Sequence, residues 1–243
     1  MISDRHILTA AHCFVQKDCE RGAVTQITNS KQWKVYYGGG CLPFAKHTCP
    51  TFQQIARSVT IKNIAIPASY LTESCLHNDI AIVTVKLKMV LIYFLNLTFT
   101  KFLYSRGSDP TKMRKATALA TINVTRVDCI PEMLITDEVS DQLCTSELQE
   151  GNMCSGDSGA GLMYKTGDDI WNVVGVASAG TDCRIINIAL NMKDEEGMPV
   201  NGISLDGSVF IDLRAHSRFI CQYAGLCFGS ELDNQRKIKA VIL

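Results

Sequence analysis

Short runs of alternating apolar and polar residues recur along the chain, and they are rich in β-branched and aromatic side chains. Alternation with a period of two is typical of strands that bury one face, and it predicts strands at 33–37, 59–66, 80–85, 120–127, 172–178 and 208–213. Segments rich in glycine, aspartate and proline separate these runs and predict turns at 38–40, 107–110 and 165–169. The pattern therefore predicts an all-β fold.

Two segments favour helix instead. Residues 215–223 predict a short C-terminal helix. Residues 128–150 predict a second helical piece, because Thr136-Asp137-Glu138-Val139 resembles a helix start.

One segment, 89–95, is a dense apolar run that is too short to span a bilayer. It is interpreted either as a buried strand or as the product of an erroneous exon boundary or a lineage-specific replacement around 86–103.

Charge gives no sign of a polyanionic partner. The 24 basic and 24 acidic residues cancel, and no basic patch of the kind that binds nucleic acid or an anionic membrane surface stands out. The local basic stretch 236–239 is interpreted as part of a solvated C-terminal tail, 224–243, that follows one domain spanning 1–223.

Cysteine usage points to an oxidising compartment. The chain has 11 cysteines, none in CxxC spacing, which favours disulfides over a metal site, and we expect neither a metal nor a cofactor. Sequons at Asn96 and Asn123 agree with secretion and glycosylation. The first residues, however, lack the pattern of a signal peptide, so we expect an N-terminally truncated sequence.

Three short strings carry the candidate chemistry. His12 lies in Leu8-Thr9-Ala10-Ala11-His12-Cys13, Asp79 in His77-Asn78-Asp79-Ile80-Ala81, and Ser158 in Gly156-Asp157-Ser158-Gly159. In this order they resemble the trypsin/chymotrypsin-like serine proteases, and the opening 2–13 resembles nematode members of that family. The resemblance implies two six-stranded antiparallel β-barrels with the active site between them, the first barrel incomplete here.

The resemblance also implies a role for each residue. A serine hydroxyl needs a neutral imidazole to take its proton, and a buried carboxylate fixes the tautomer of that imidazole. Ser158 is thus expected to be the nucleophile, His12 the general base and then acid, and Asp79 the group that orients His12. The backbone N–H groups of Gly156 and Ser158 are expected to bind the oxyanion.

Four residues are expected to line the substrate pocket by the same resemblance: Asn152, Ser178, Gly180 and Ser208. Asn152 lies six residues before Ser158, at the pocket floor, and carries no charge to select Lys or Arg. We therefore expect a small or medium neutral substrate side chain, although Asn152 could instead satisfy only local backbone groups. Ser178 is also expected to donate a hydrogen bond to Asp79.

Disulfide expectations follow from the family pattern and from proximity. The resemblance implies the pairs Cys154–Cys183 and Cys129–Cys144, and leaves Cys13 without a partner. Closeness in sequence suggests Cys41–Cys49 and Cys221–Cys227, while Cys19 and Cys75 stay unassigned.

The main functional hypothesis is a secreted, monomeric serine endopeptidase that acts on proteins or peptides and is controlled by protein inhibitors, with no nucleic-acid or membrane partner. Family zymogens pair a new N-terminal ammonium with the aspartate before the nucleophile, here Asp157, so a truncated start is expected to impair activity. A non-catalytic homologue acting as a binding or regulatory module is the alternative. An α/β esterase fits less well, because 156–160 lacks the Gly-x-Ser-x-Gly spacing.

Overall fold

Two antiparallel sheets form the framework of the computed structural model, which describes residues 1–39, 57–72, 77–87, 89, 101–102, 119–120, 122–129, 141–146, 153–154, 156–168, 170–182, 185–186, 207–227 and 237–243. The strands are β1 (His6–Thr9), β2 (Val15–Asp18), β3 (Ala23–Ile27), β4 (Lys34–Tyr37), β5 (Arg57–Pro67), β6 (Ala81–Val85), β7 (Lys101–Phe102), β8 (Leu119–Ala120), β9 (Arg126–Val127), β10 (Gln142–Thr145), β11 (Gly161–Lys165), β12 (Trp171–Gly180), β13 (Ser208–Asp212) and β14 (Ala240–Ile242). The helices are α1 (Ala68–Thr72) and α2 (Ser217–Ala224), with 3-10 turns at Ala11–Cys13 and Ser30–Gln32.

The first sheet is organised around β5, the longest strand. Its order is β1-β6-β5-β14, and β4 pairs with the beginning of β5. β6 is almost wholly buried, with both Ala81 and Ile82 at 0% exposure. It lies between β1 and β5, and its side chains pack into apolar clusters. Two shorter ribbons, β2-β3 and β7-β8, accompany the two larger sheets.

The second sheet has the order β11-β12-β13-β10-β9. β13 reads Ser208-Val-Phe-Ile-Asp212 and is buried throughout, since β12 and β10 flank it on both sides. The all-β class is confirmed, and each sheet contains five strands among the described residues.

One apolar cluster joins the two sheets. It combines Leu8 and Ala10 from the first half with Val176 and Ile211 from the second sheet, and Phe219 of α2 packs into it. Because buried apolar surface is the main stabilising term in a fold, this shared cluster fixes the position of one sheet relative to the other. The end of β1 and the middle of β12 are thereby held close together.

Most strand predictions are confirmed, with ends that shift by at most two residues: 33–37, 59–66, 80–85, 172–178 and 208–213 correspond to β4, β5, β6, β12 and β13. The prediction for 120–127 is wrong as one strand. Its ends belong to β8 and β9, while 122–125 lie in neither strand.

The C-terminal helix is confirmed as α2, which ends where Gly225 adopts a left-handed φ of 71° and its N–H bonds to the Cys221 carbonyl. The prediction of a second helix over 128–150 is wrong for Gln142–Thr145, which form β10. All four residues of β10 are buried between β13 and β9, so sheet pairing overrides the local helix signal. The presumed helix start at 136–139 lies outside the described residues.

The prediction of a solvated stretch holds for the side chains of Lys237 and Lys239, which are exposed, but Ala240–Ile242 form a strand and not a free tail. β14 pairs with β5 at Ala65–Pro67, and the Gln222 amide bonds both backbone groups of Ile238. The segment alternates exposed lysines with partly buried apolar residues, so one face packs on the protein while the basic face stays in water.

Of the apolar run 89–95, only Met89 is described. It is 2% exposed and packs with Val59 and Val85. No helix in the described ranges is long and apolar enough to cross a membrane.

Candidate active site

Strand register brings His12 and Asp79 together. β1 and β6 run antiparallel with Thr9 opposite Ala81, so the end of one lies beside the beginning of the other. His12 follows Thr9 on the 3-10 turn Ala11–Cys13, and Asp79 lies two residues before β6. Residues 67 positions apart in sequence therefore meet at one corner of the first sheet.

Asp79 is 1% exposed and accepts hydrogen bonds from three donors. The backbone N–H of His12 donates to Oδ1 at 2.8 Å, and Nδ1 of the His12 ring lies 2.7 Å from Oδ2. The Ser178 hydroxyl donates to Oδ2 at 2.5 Å, which is the bond that the family resemblance implied. A carboxylate with donors on both oxygens has little freedom to rotate, so its orientation toward His12 is fixed.

The contact with Asp79 sets the state of the His12 ring. A carboxylate only accepts hydrogen bonds, so Nδ1 carries the proton and the lone pair of Nε2 points away from Asp79. Burial alone would lower the pKa of His12, but the hydrogen bond and negative charge of Asp79 outweigh it, and the pKa of His12 is raised. The ring is thus a stronger proton acceptor than an isolated buried imidazole.

Cys13, next to His12, is free, as expected from the resemblance. Burial raises the pKa of its thiol to about 11, and the charge of Asp79 acts in the same direction. The thiol therefore stays neutral at physiological pH and is a poor nucleophile.

A tight turn presents Ser158. Asp157 N–H donates to the Cys154 carbonyl at 2.9 Å, and the Cys154 N–H returns a bond to Asp157 Oδ2 at 2.8 Å. The Gly159 N–H then bonds to the Ala177 carbonyl on β12 at 2.8 Å. These bonds fix the turn on the second sheet at the side that faces β1.

Gly159 shows how close the serine turn comes to the histidine strand. Its φ is +84°, and a Cβ atom there would overlap the Thr9 hydroxyl and lie 3.2 Å from the Ala10 nitrogen. Only glycine fits this approach. The residue that follows Ser158 therefore packs against Thr9 and Ala10, just before the turn that carries His12, and no hydrogen bond joins the side chains of Ser158 and His12 in the described part of the chain.

Gly156 has a φ of +99°, which favours a residue without Cβ. Among the described residues, no hydrogen bond engages the N–H of Gly156 or of Ser158, whereas those of Asp157 and Gly159 are both bonded. One backbone N–H on each side of Asp157, that of Gly156 and that of Ser158, is therefore available to another acceptor.

The structure describes three of the four residues that are predicted to line a substrate pocket. Ser178 lies at a β-bulge in β12, because Ala177 and Ala179 pair with adjacent residues of β13 and Ser178 pairs with none. Bulges often redirect a side chain next to an active site, and this one turns Ser178 toward Asp79. Gly180 lies opposite Ser208, which is 4% exposed, and a Cβ at Gly180 would lie 3.5 Å from the Ser208 hydroxyl oxygen. Asn152 lies outside the described residues.

The described disulfides agree with the expectations. Cys129 pairs with Cys144, and Cys221 pairs with Cys227. Cys154 is disulfide-bonded, as is Cys19, but the expected partner Cys183 lies outside the described residues, as do Cys41 and Cys49. Within the described ranges no group of three or more histidines, cysteines or acidic residues is arranged to hold a metal ion.

A buried polar cluster beside the site was not predicted. Asp141 contacts both His77 and His216. These residues lie 64 and 75 positions from Asp141, and no local spacing or motif marks them as partners. Only the packing of the two sheets against each other could have indicated that Asp141 contacts these histidines.

Comparison with known proteins places the chain in a family. The sequence profile of the Trypsin family matches residues 1–192, a range that includes His12, Asp79 and Ser158. Trypsin-like protease try-5 of Caenorhabditis elegans is 25% identical over 92% of this chain and 76% of that protein.

Two mammalian proteins also match. Transmembrane protease serine 11B of Homo sapiens is 27% identical over 75% of this chain. Transmembrane protease serine 11C of Mus musculus is 25% identical over 77% of this chain. The matches span 43% and 42% of those two proteins, less than half of their length. Since the family profile covers most of the sequence, the chain belongs to the trypsin family of serine proteases.

Proposed function

We propose that the chain is a serine endopeptidase that cleaves peptide bonds through Ser158, His12 and Asp79. The observation that carries the proposal is the His12–Asp79 contact of 2.7 Å, next to a serine turn that touches the strand leading to His12. Such a contact supplies the oriented base that a serine hydroxyl requires for attack.

The reaction begins when Ser158 Oγ attacks the carbonyl carbon of the scissile bond and His12 Nε2 takes the hydroxyl proton. The negative charge that develops on the carbonyl oxygen is stabilised by the N–H groups of Gly156 and Ser158, which are not bonded to other described residues. His12 then gives its proton to the leaving amine, and an acyl-enzyme ester remains on Ser158. A water molecule activated by His12 hydrolyses this ester and restores the serine.

Specificity follows from the wall of the pocket. β12 and β13 approach closely at Gly180 and Ser208, where the buried Ser208 hydroxyl adds bulk and no charge. With the uncharged Asn152 at the expected floor, we propose a preference for small or medium neutral side chains before the scissile bond. A peptide library assay tests this, and preferential cleavage after Lys or Arg would contradict it.

We further propose that the protein acts outside the cell, as a monomer, on protein substrates and under the control of protein inhibitors. Three features support extracellular action: the Cys129–Cys144 bridge, the Cys221–Cys227 bridge and the exposed sequon at Asn123.

Covalent labelling tests the chemistry directly. The full chain is treated with a fluorophosphonate probe, digested and analysed by mass spectrometry, and the adduct is expected on Ser158. Ser158→Ala should abolish the adduct, and His12→Ala should slow labelling by ~10²–10⁴-fold, since the general base is lost. Ser146→Ala, which removes a hydroxyl in the same sheet region but outside the site, is the matched control and should label normally. A folded protein without an adduct on Ser158 would contradict the proposal and favour a non-catalytic binding module.

A further inference from the structure

A buried carboxylate behind the site connects the segment that carries Asp79 to the second sheet. Asp141 Oδ1 lies 2.8 Å from Nδ1 of His77, and Oδ2 accepts the backbone N–H of Asn78 at 2.8 Å. On the other side, Nε2 of His216 lies 2.9 Å from Oδ2. Two residues that directly precede Asp79 are therefore held by a group from the other half of the molecule.

Asp141 is itself firmly placed. It directly precedes β10, and its carbonyl accepts the Asp212 N–H of β13 at 2.7 Å. His216 lies just before α2, where its carbonyl accepts the Ile220 N–H. The side chains of Asp141 and His216 are only 11% and 7% exposed. The carboxylate that holds His77 and Asn78 is therefore fixed between the second sheet and the start of α2.

The charge of Asp141 is matched by its donors. Burial alone would raise the pKa of Asp141, but the hydrogen bonds from His216, from the Asn78 N–H and from His77 outweigh burial and hold the pKa below its usual range. An ionised carboxylate only accepts hydrogen bonds, so each imidazole donates from the nitrogen that faces it. An amide at this position would instead direct its NH₂ group at one of these donors.

The anchored segment has an uncommon backbone. Asn78 adopts a φ of 56°, the left-handed region that non-glycine residues seldom occupy. The Ile80 N–H donates to the Asn78 carbonyl at 2.7 Å and closes a tight turn around Asp79. Asp141 thus holds the N–H of Asn78, while the turn holds its carbonyl.

We propose that Asp141 is a positioning residue, which aims the Asp79 carboxylate at His12 by fixing the backbone of Asn78 and the ring of His77. The kinetic consequence rests on the proposed endopeptidase function, but the positioning of Asp79 does not.

The test measures the His12 ring, because its raised pKa reports the contact with Asp79 independently of any activity. The pKa of His12 is followed by NMR of the histidine rings in the wild type, Asp141→Asn, Asp79→Asn and Asp212→Asn. Asp79→Asn should lower the pKa of His12, and Asp141→Asn should lower it as well. Asp212→Asn is the matched control, because Asp212 is a buried carboxylate of the same sheet that bonds Arg214, and it should leave His12 unchanged.

Kinetics on a cleaved peptide provide the second readout. Displacing a catalytic group by about 1 Å can cost ~10²-fold in rate, so Asp141→Asn should lower kcat by up to ~10²-fold with little change in KM. Asp212→Asn should not. If Ser158 proves not to label at all, the proposed function fails, yet the NMR comparison still decides whether Asp141 positions Asp79.

An unchanged His12 pKa in folded Asp141→Asn would overturn the inference. If that variant does not fold, His77→Ala is measured in its place, since it keeps Asp141 and removes one link to the segment. A shift of the His12 pKa in the same direction, smaller in size, supports the inference, and the absence of any shift overturns it.

Discussion

Asp79 is the residue that links the two halves of the candidate site. Its donors come from the 3-10 turn that carries His12 and from the bulge of β12 that carries Ser178. A displacement of either sheet would therefore break part of this network. Ser178 matters in this view as the donor that holds Oδ2 from the second sheet, in addition to any contact it makes with substrate.

Replacing Asp79 by Asn should change both the rate and its pH dependence. The pKa of His12 is raised in the wild type because the bond and charge of Asp79 outweigh burial, so His12 is charged and inactive over a wider acidic range than an isolated buried imidazole. In Asp79→Asn only burial remains, so the acidic limb of kcat/KM should move to lower pH. The rate should fall by ~10⁴-fold, because an amide can hold the wrong tautomer of His12.

The measurement is kcat/KM against pH with a peptide substrate, in parallel with Asp212→Asn. That control should keep the wild-type profile, since Asp212 bonds Arg214 and not His12. An acidic limb that stays in place in Asp79→Asn would show that Asp79 does not set the pKa of His12.

At the scale of elements, the Cys129–Cys144 bridge ties β10 to the residues that follow β9. It closes a loop of 15 residues, whereas Cys221–Cys227 closes one of 6 at the end of α2. A crosslink lowers the entropy of the unfolded chain more when the loop is longer. The two bridges thus allow an internal comparison.

Replacing both cysteines of each bridge by alanine should give losses of different size. In the chain-entropy picture the free energy of unfolding falls by ~3 kcal/mol without Cys129–Cys144 and by ~2 kcal/mol without Cys221–Cys227. Urea unfolding of the two double variants beside the wild type measures this. A larger loss for the shorter loop would show that local packing around α2, and not loop entropy, dominates.

The sequence predicted those elements whose signal is local. β5, β12 and β13 carry a clear alternation. The three motif strings predicted a site at His12, Asp79 and Ser158, of which the structure joins His12 and Asp79. β10 was missed because it has only four residues and all of them are buried between β9 and β13, so it shows no alternation of apolar and polar positions. Asp141 was missed for a related reason, since its partners become neighbours only after the two sheets pair.

At the scale of the whole molecule, the C-terminal segment belongs to the first sheet and is attached to the second half. Leu243 exchanges both backbone hydrogen bonds with Ile64, at 2.9 and 3.1 Å, and β14 continues that pairing toward Pro67. Before β14, the carbonyl of Ile238 accepts bonds from the side chains of Gln222 and Tyr223 of α2. One short segment therefore bridges α2 and β5, and β5 in turn supports β6, which starts just after Asp79.

Deleting residues 240–243 should consequently destabilise the protein and weaken the site. The two Leu243 bonds alone contribute about 1–3 kcal/mol, and in a protein of this size Tm falls by roughly 2–4 °C for each kcal/mol lost. Calorimetry of the deletion variant measures the loss, and labelling of Ser158 reports the site. The control is Lys237→Ala/Lys239→Ala, which removes the basic side chains of a segment whose backbone pairing it retains. Equal losses in the two variants would mean that charge, and not the strand, holds the segment; a loss confined to the deletion makes β14 a structural part of the half that carries His12.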